Sequence, residues 1–105
     1  MAIFFTSDTH FGDPRVLRID KRPFASTAEH DEALIANWNA IVGPDDEVWH
    51  LGDFAIPSHP KGVGWLLAAL NGRKKLIIGN NDPPVTVENP GWESVQHYAE
   101  LRLEG

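Results

Sequence analysis

The chain reads as an α/β protein built on a parallel sheet with helices in the crossovers. Three observations predict this. Short apolar runs end abruptly on glycine or polar side chains, helical periodicity fills the stretches between them, and strand and helix alternate along the 105 residues. A chain of this length holds one domain, residues 1–105, large enough for a core.

Ala2 to Thr6 is a continuous apolar run, the pattern of a strand buried on both faces. Pro14 to Ile19 predicts a short helix, with Asp13 as its cap and Pro14 at its first position. Ser26 followed by Glu29 is a capping box. Leu34, Ile35, Trp38, Ile41 and Val42 then share one helical face, and Gly43-Pro44 ends the helix. Glu47 to Leu51 predicts a second strand, closed by Gly52. Lys61 to Leu70 predicts a second long helix with Val63, Leu66, Leu67 and Leu70 on one face, weakened by Gly62 and Gly64 and ended by Asn71-Gly72. Lys74 to Ile78 is a third strand. The tail alternates, with Val95, His97, Ala99, Leu101 and Leu103 on one side, which predicts a half-buried strand.

Composition narrows the classes of function. The formal charge of −6 and the lack of a basic cluster argue against a nonspecific nucleic-acid or membrane-surface binder. With no cysteine, disulfides, thiolate metal sites and cysteine nucleophiles are excluded. "AIFFT" is too short for a signal sequence and no segment approaches a membrane span, so a cytoplasmic location is the expectation.

In a parallel sheet, ligands bind outside the carboxyl ends of the strands. Here the predicted strands end in "SDTH", "LGDF" and "IGNND". Asp8 and His10 lie two apart, so in extended chain both point to one side and can grip one transition metal. Gly52 permits a sharp exit from its strand, and the Asp53 carboxylate has two oxygens with which to bridge cations. Asn80 offers a neutral carbonyl oxygen. Each segment alone is an ordinary turn, since Asp, Asn and Gly are the common turn formers. Their joint placement after three strands is what turn formation leaves unexplained. Two cations roughly 3.5–4 Å apart under a bridging carboxylate would form a clamp for displacement at phosphorus.

The segments "SDTHFGD", "HLGDFA" and "IIGNND" resemble the first three signature blocks of the calcineurin-like metallophosphoesterases: Asp-x-His, Gly-Asp and Gly-Asn-His-Asp/Glu. "RPFASTAEHDEALIANWNAIVGPDDEVWHLGDFA" is similar to small bacterial and phage members. The resemblance implies a layered fold, a β-sandwich flanked by helices, of which only the N-terminal part is present. It implies phosphate mono- or diester hydrolysis by a metal-bridging hydroxide, with two divalent ions (Mn, Fe or Zn), the second weakly held. Asp8 and His10 would hold the first ion, Asp53 would bridge, and Asn80 would bind the second.

This chain departs from the family pattern at Asn81, where the family places a histidine that protonates the leaving oxygen. Asn81 can bind the phosphate but does not titrate. Asp82 matches the acidic position that orients that histidine, and Asp13 stands where related sequences often carry histidine. The later Gly-His and Gly-His-x-His blocks, which supply three more ligands, have no counterpart here. The alternative reading is therefore an inactive, truncated homologue serving as a binding or assembly module.

A sandwich lacking its second half exposes an edge and an apolar face, so a homo-oligomer paired through Val95–Leu103 is expected. Among the other histidines, His97 is expected to be buried, His50 to lie in the core, and His59 and His30 to be solvated. Trp38, Trp49, Trp65 and Trp92 are read as packing residues.

Overall fold

The computed structural model describes residues 2–18, 25–56, 59–79 and 82–97. In chain order the elements are β1 (Ile3–Thr6), α1 (Arg15–Arg18), α2 (Thr27–Ile41), β2 (Glu47–His50), α3 (Val63–Ala69), β3 (Arg73–Ile77), α4 (Pro84–Val87) and β4 (Ser94–Gln96). All strands join one parallel sheet in the order β1-β2-β3-β4, the mixed α/β architecture the alternation predicts.

Local chemistry sets the boundaries. Ser26 has extended backbone and its Oγ accepts the Glu29 N–H at 3.1 Å, satisfying one orphan donor of α2. The Asp13 carboxylate accepts the Arg15 N–H at 2.9 Å at the start of α1. α3 starts later than Lys61 because Gly62 is held at φ 81, outside helical backbone. α4 falls where only a turn is expected: Pro84 lacks an N–H that the first turn leaves unbonded anyway, so Pro83-Pro84 opens a single helical turn.

A sheet that adds each strand on the same side, through crossovers of one hand, carries its helices on one face. The packing agrees. Leu34, Ile35 and Trp38 of α2, Val63, Leu66 and Leu67 of α3, and Val87 of α4 meet in one cluster with Phe11, Phe54, Leu76 and Trp92. Helices α2 and α3 are tied side by side. Asn39 Nδ2 donates to the Ala69 carbonyl at 2.8 Å, the Asn71 N–H to Asn39 Oδ1 at 2.8 Å, and Trp38 Nε1 to the Asn71 carbonyl at 2.9 Å. On the opposite sheet face, Lys75 pairs with Glu47 at 2.8 Å, and Trp49 Nε1 donates to the same carboxylate at 2.8 Å.

Several expectations are corrected. β1 is not buried on both faces: it stands at one end of the strand order, and Ile3 and Phe5 remain 37 % and 50 % exposed. β4 ends at Gln96 and His97 is exposed, so the expected burial of His97 fails because the strand stops before it. The rest of the predicted tail strand, from residue 98, lies outside the described residues, as does Ile19. His30 is fully buried rather than solvated, and the His59 side chain is 6 % exposed, because both imidazoles bond Asp31. His50 is in the core as expected. Trp38, Trp49 and Trp92 pack inside, while Trp65 is 44 % exposed beneath the Lys61 ammonium.

Candidate metal site at the strand ends

The loops after β1 and β2 run side by side beyond the sheet. The Leu51 N–H donates to the Thr6 carbonyl, Asp8 N–H to Gly52, His10 N–H to Asp53 and Phe11 N–H to Phe54, each at 2.8 to 3.0 Å. This ladder prolongs the β1–β2 pairing, but three residues break its regularity. Asp8, His10 and Asp53 have φ of 57°, 49° and 58°, and they are the non-glycine residues with positive φ among the described residues. Such left-handed backbone costs on the order of 1 kcal/mol per residue, persists only where the surroundings enforce it, and concentrates at functional sites.

The same three residues converge. One ligand atom each from Asp8, His10 and Asp53 lie within 4.8 Å of one another. Extended backbone is not what brings Asp8 and His10 together, as alternation alone would have it; both sit in left-handed kinks that turn the side chains toward Asp53. His10 Nε2 stands 3.7 Å from Asp8 Oδ1, and its Nδ1 faces Asp13 Oδ2 at 3.8 Å. Asp13 is buried behind His10 and gripped by the Arg15 guanidinium at 2.7 Å, which holds its carboxyl below the usual range. A carboxylate behind the far nitrogen of a ligating imidazole is the usual arrangement around protein-bound metals. Ser7 Oγ donates to Asp8 at 2.8 Å and, with Asp53, His10 and His50 nearby, lowers the Asp8 carboxyl against a smaller effect of burial.

The donor set, two carboxylates and an imidazole gathered at one point, is of the kind that suits a divalent transition metal. Asn80 and Asn81, the expected ligand and phosphate-binding residue, lie outside the described residues. Asp82 is placed as a brace. Its carboxylate accepts the Gly79 N–H at 2.7 Å and the Phe54 N–H at 3.1 Å, locking the loop after β3 onto the loop after β2. The two chains touch there: a Cβ on Gly52 would meet the Gly79 Cα at 2.7 Å, and Gly52 has φ 110°. Glycine is thus required before Asp53 for both space and backbone angle.

Sequence reasoning missed the residues that hold these loops. Asp31, in the acidic start of α2, is buried; Oδ1 accepts the Gly12 N–H at 2.9 Å and Oδ2 bonds His59 Nε2 at 2.8 Å. The Lys61 N–H donates to His59 Nδ1 at 3.1 Å, so both His59 nitrogens are bonded, and His30 Nδ1 lies 3.1 Å from Asp31 Oδ1. Thr9, between Asp8 and His10 in the chain, is buried. No periodicity marks any of them; only the path of the chain brings them together. A cavity of about 190 Å³ opens beside Gly12, walled by Asp31, His59, Lys61 and Trp65, but neither Asp8, His10 nor Asp53 lines it.

Comparison with known proteins adds relatives. The Gene 66 protein of Mycobacterium phage L5 is 42 % identical over 99 residues, which is 90 % of this chain and 46 % of that protein. An uncharacterised protein of Methanocaldococcus jannaschii is 38 % identical over 81 residues, 76 % of this chain and 46 % of that one. Among solved structures, a protein of unknown function from Aquifex aeolicus superposes with a TM-score of 0.74 at 24 % identity, over 93 % of this chain and 53 % of its own, a likeness of fold. No protein-family model matches. The chain spans about half the length of the relatives it matches.

Proposed function

We propose that this chain carries the metal-binding half-site of a phosphoesterase acting on small phosphate mono- or diesters. The observation that supports it most is at Asp8, His10 and Asp53: left-handed backbone at all three, spent on bringing one ligand atom of each within 4.8 Å of the others. Turn formation accounts for the residue types but gives no reason for the carboxylates and imidazole to face one another. The resemblance of the three strand-end motifs points the same way.

In this reading Asp8, His10 and Asp53, with Asn80, are the residues that would hold the divalent ions. Mn, Fe or Zn held there would supply Lewis-acid chemistry toward water and the phosphate. Asp13 keeps the His10 ring aimed at the cluster. Asn81 hydrogen-bonds the phosphate, and because its amide does not titrate, the leaving oxygen departs without general acid help. Losing that help forfeits about 10²–10⁴-fold in rate, least for good leaving groups, so activated aryl esters are the favoured substrates. Asp82 serves by holding Gly79 and Phe54 in place rather than by proton transfer.

The finer fold belongs to the same proposal: the parallel sheet with its helices on one face is one layer of a metallophosphoesterase-like β-sandwich. β4 lies at the end of the strand order opposite β1, which supports pairing of two copies through the C-terminal strand. Light scattering at micromolar concentration is expected to give a dimer or larger; a clean monomer contradicts that pairing.

A second reading, a binding or assembly module without activity, is favoured by one observation: Asn81 stands where the family pattern has the histidine that protonates the leaving oxygen. Hydrolysis of an aryl phosphate, as monoester and diester, with added Mn²⁺ separates the two. Activity abolished by Asp53→Asn is the expected result. No activity above that variant, with Mn²⁺ still bound, favours the module.

A further inference from the structure

A single directed chain of hydrogen bonds encloses the cluster. The Gly52 N–H donates to His50 Nδ1 at 3.2 Å. A backbone N–H can only donate, so Nδ1 carries the lone pair and the ring proton sits on Nε2. Nε2 lies 3.0 Å from Thr9 Oγ1, and Thr9 Oγ1 lies 2.7 Å from the Phe54 carbonyl. A carbonyl can only accept, so the hydroxyl proton points to Phe54 and the hydroxyl lone pair receives the His50 proton. Every proton in the chain is used once, and only one tautomer satisfies it.

The route is informative. It leaves the backbone at Gly52 and returns at Phe54, the two neighbours of Asp53. Midway it passes through Thr9, the residue between Asp8 and His10. His50 is fully buried and Thr9 is 8 % exposed, and the imidazole is fixed edge-on against the Phe54 ring at 5.2 Å and the Trp92 ring at 6.2 Å. The ring therefore has no rotational freedom to satisfy the chain in another way. Burial keeps it neutral, pushing its pKa down to about 4 against the raising pull of Asp82 and Asp8.

We infer that Thr9 and His50 are positioning residues that lock the loop of Asp8 and His10 to the loop of Asp53, and so set the affinity of the site for its divalent ion. The inference rests on the metal-site reading above. Neither residue touches the ion; each acts by fixing the backbone at the three left-handed residues. Hydrogen-bond partners one step removed from a metal typically change affinity by about 10–100-fold when lost.

The test compares Thr9→Val, which keeps the shape and removes the hydroxyl, with Thr9→Ser, which keeps the hydroxyl, by calorimetric titration with Mn²⁺. Circular dichroism confirms folding, and ¹⁵N–¹H correlation spectra report the His50 ring nitrogens in the metal-free state. The expected result is a Kd at least tenfold weaker for Thr9→Val, recovery to within threefold for Thr9→Ser, and a His50 Nε2 signal shifted only in Thr9→Val. If Thr9→Val does not fold, His50→Asn, whose shorter amide can still accept from Gly52 but places its Nδ2 donor short of Thr9, carries the same comparison and the same expected loss. A Kd within threefold of wild type for the folded variant overturns the inference. Wild-type binding that is absent, or indifferent to Asp53→Asn, overturns the metal-site reading itself and this role with it, a distinct outcome.

Discussion

At the scale of single residues, the site is defined by backbone angles that side-chain identity alone does not announce. Asp8, His10 and Asp53 sit in left-handed conformation, and Gly52 beside Asp53 sits at φ 110° with its Cα side against Gly79. Gly52→Ala would drive a Cβ to 2.7 Å from the Gly79 Cα and force an angle that L side chains resist. The expected cost is about 2 kcal/mol or more, a fall in melting temperature of roughly 8 °C or more for a domain of this size, read by thermal denaturation. An unchanged midpoint would mean that the loops after β2 and β3 do not approach as closely as described. The residue scale also shows what the sequence conceals. Asp31 and Glu32 read alike in "EHDE", yet Asp31 is buried on Gly12 and His59 while Glu32 is exposed.

At the scale of elements, much was legible because each signal is local. The Ser26 cap, the face of α2 and the register of apolar residues in α3 depend on neighbours a turn away, and they place the helices within a residue or two. The exits of β1 and β2 onto "SDTH" and "LGDF" were legible for the same reason, since a strand followed by Gly or Asp must turn. Three features were not. The exposure of Phe5 depends on which strand stands at the end of the sheet, a property of the whole topology. The burial of His30 and His59 depends on Asp31 meeting the loop at Gly12, a contact across 19 residues of chain. The convergence of Asp8 with His10 was expected for the wrong reason, strand alternation, whereas the kinks at both residues produce it.

At the scale of the molecule, one buried titratable ring makes stability depend on pH. His50 in the folded chain titrates at about 4, whereas an unfolded imidazole titrates near 6.5. Between these values the unfolded chain binds the proton and the folded chain does not, so stability is full above about pH 6.5 and falls as pH drops toward 4. The loss is on the order of 3 kcal/mol over that window. Asp8, Asp13 and Glu47 are held below their usual ranges by Ser7, Arg15 and Lys75 respectively, so their contributions are lost only at lower pH, through their folded values. Denaturant melts at pH 7.5, 6 and 5 are expected to lose stability progressively in wild type and much less in His50→Asn. A flat wild-type profile would mean that His50 is not held neutral by burial.

Calorimetric titration of the metal-free chain with Mn²⁺ decides whether the ends of β1 and β2 form a metal site. The expected result is saturable binding that Asp53→Asn weakens at least tenfold while the fold, followed by circular dichroism, is retained. Binding that is absent in wild type, or equal in the two proteins, would contradict it and leave Asp8, His10 and Asp53 as three strained turns.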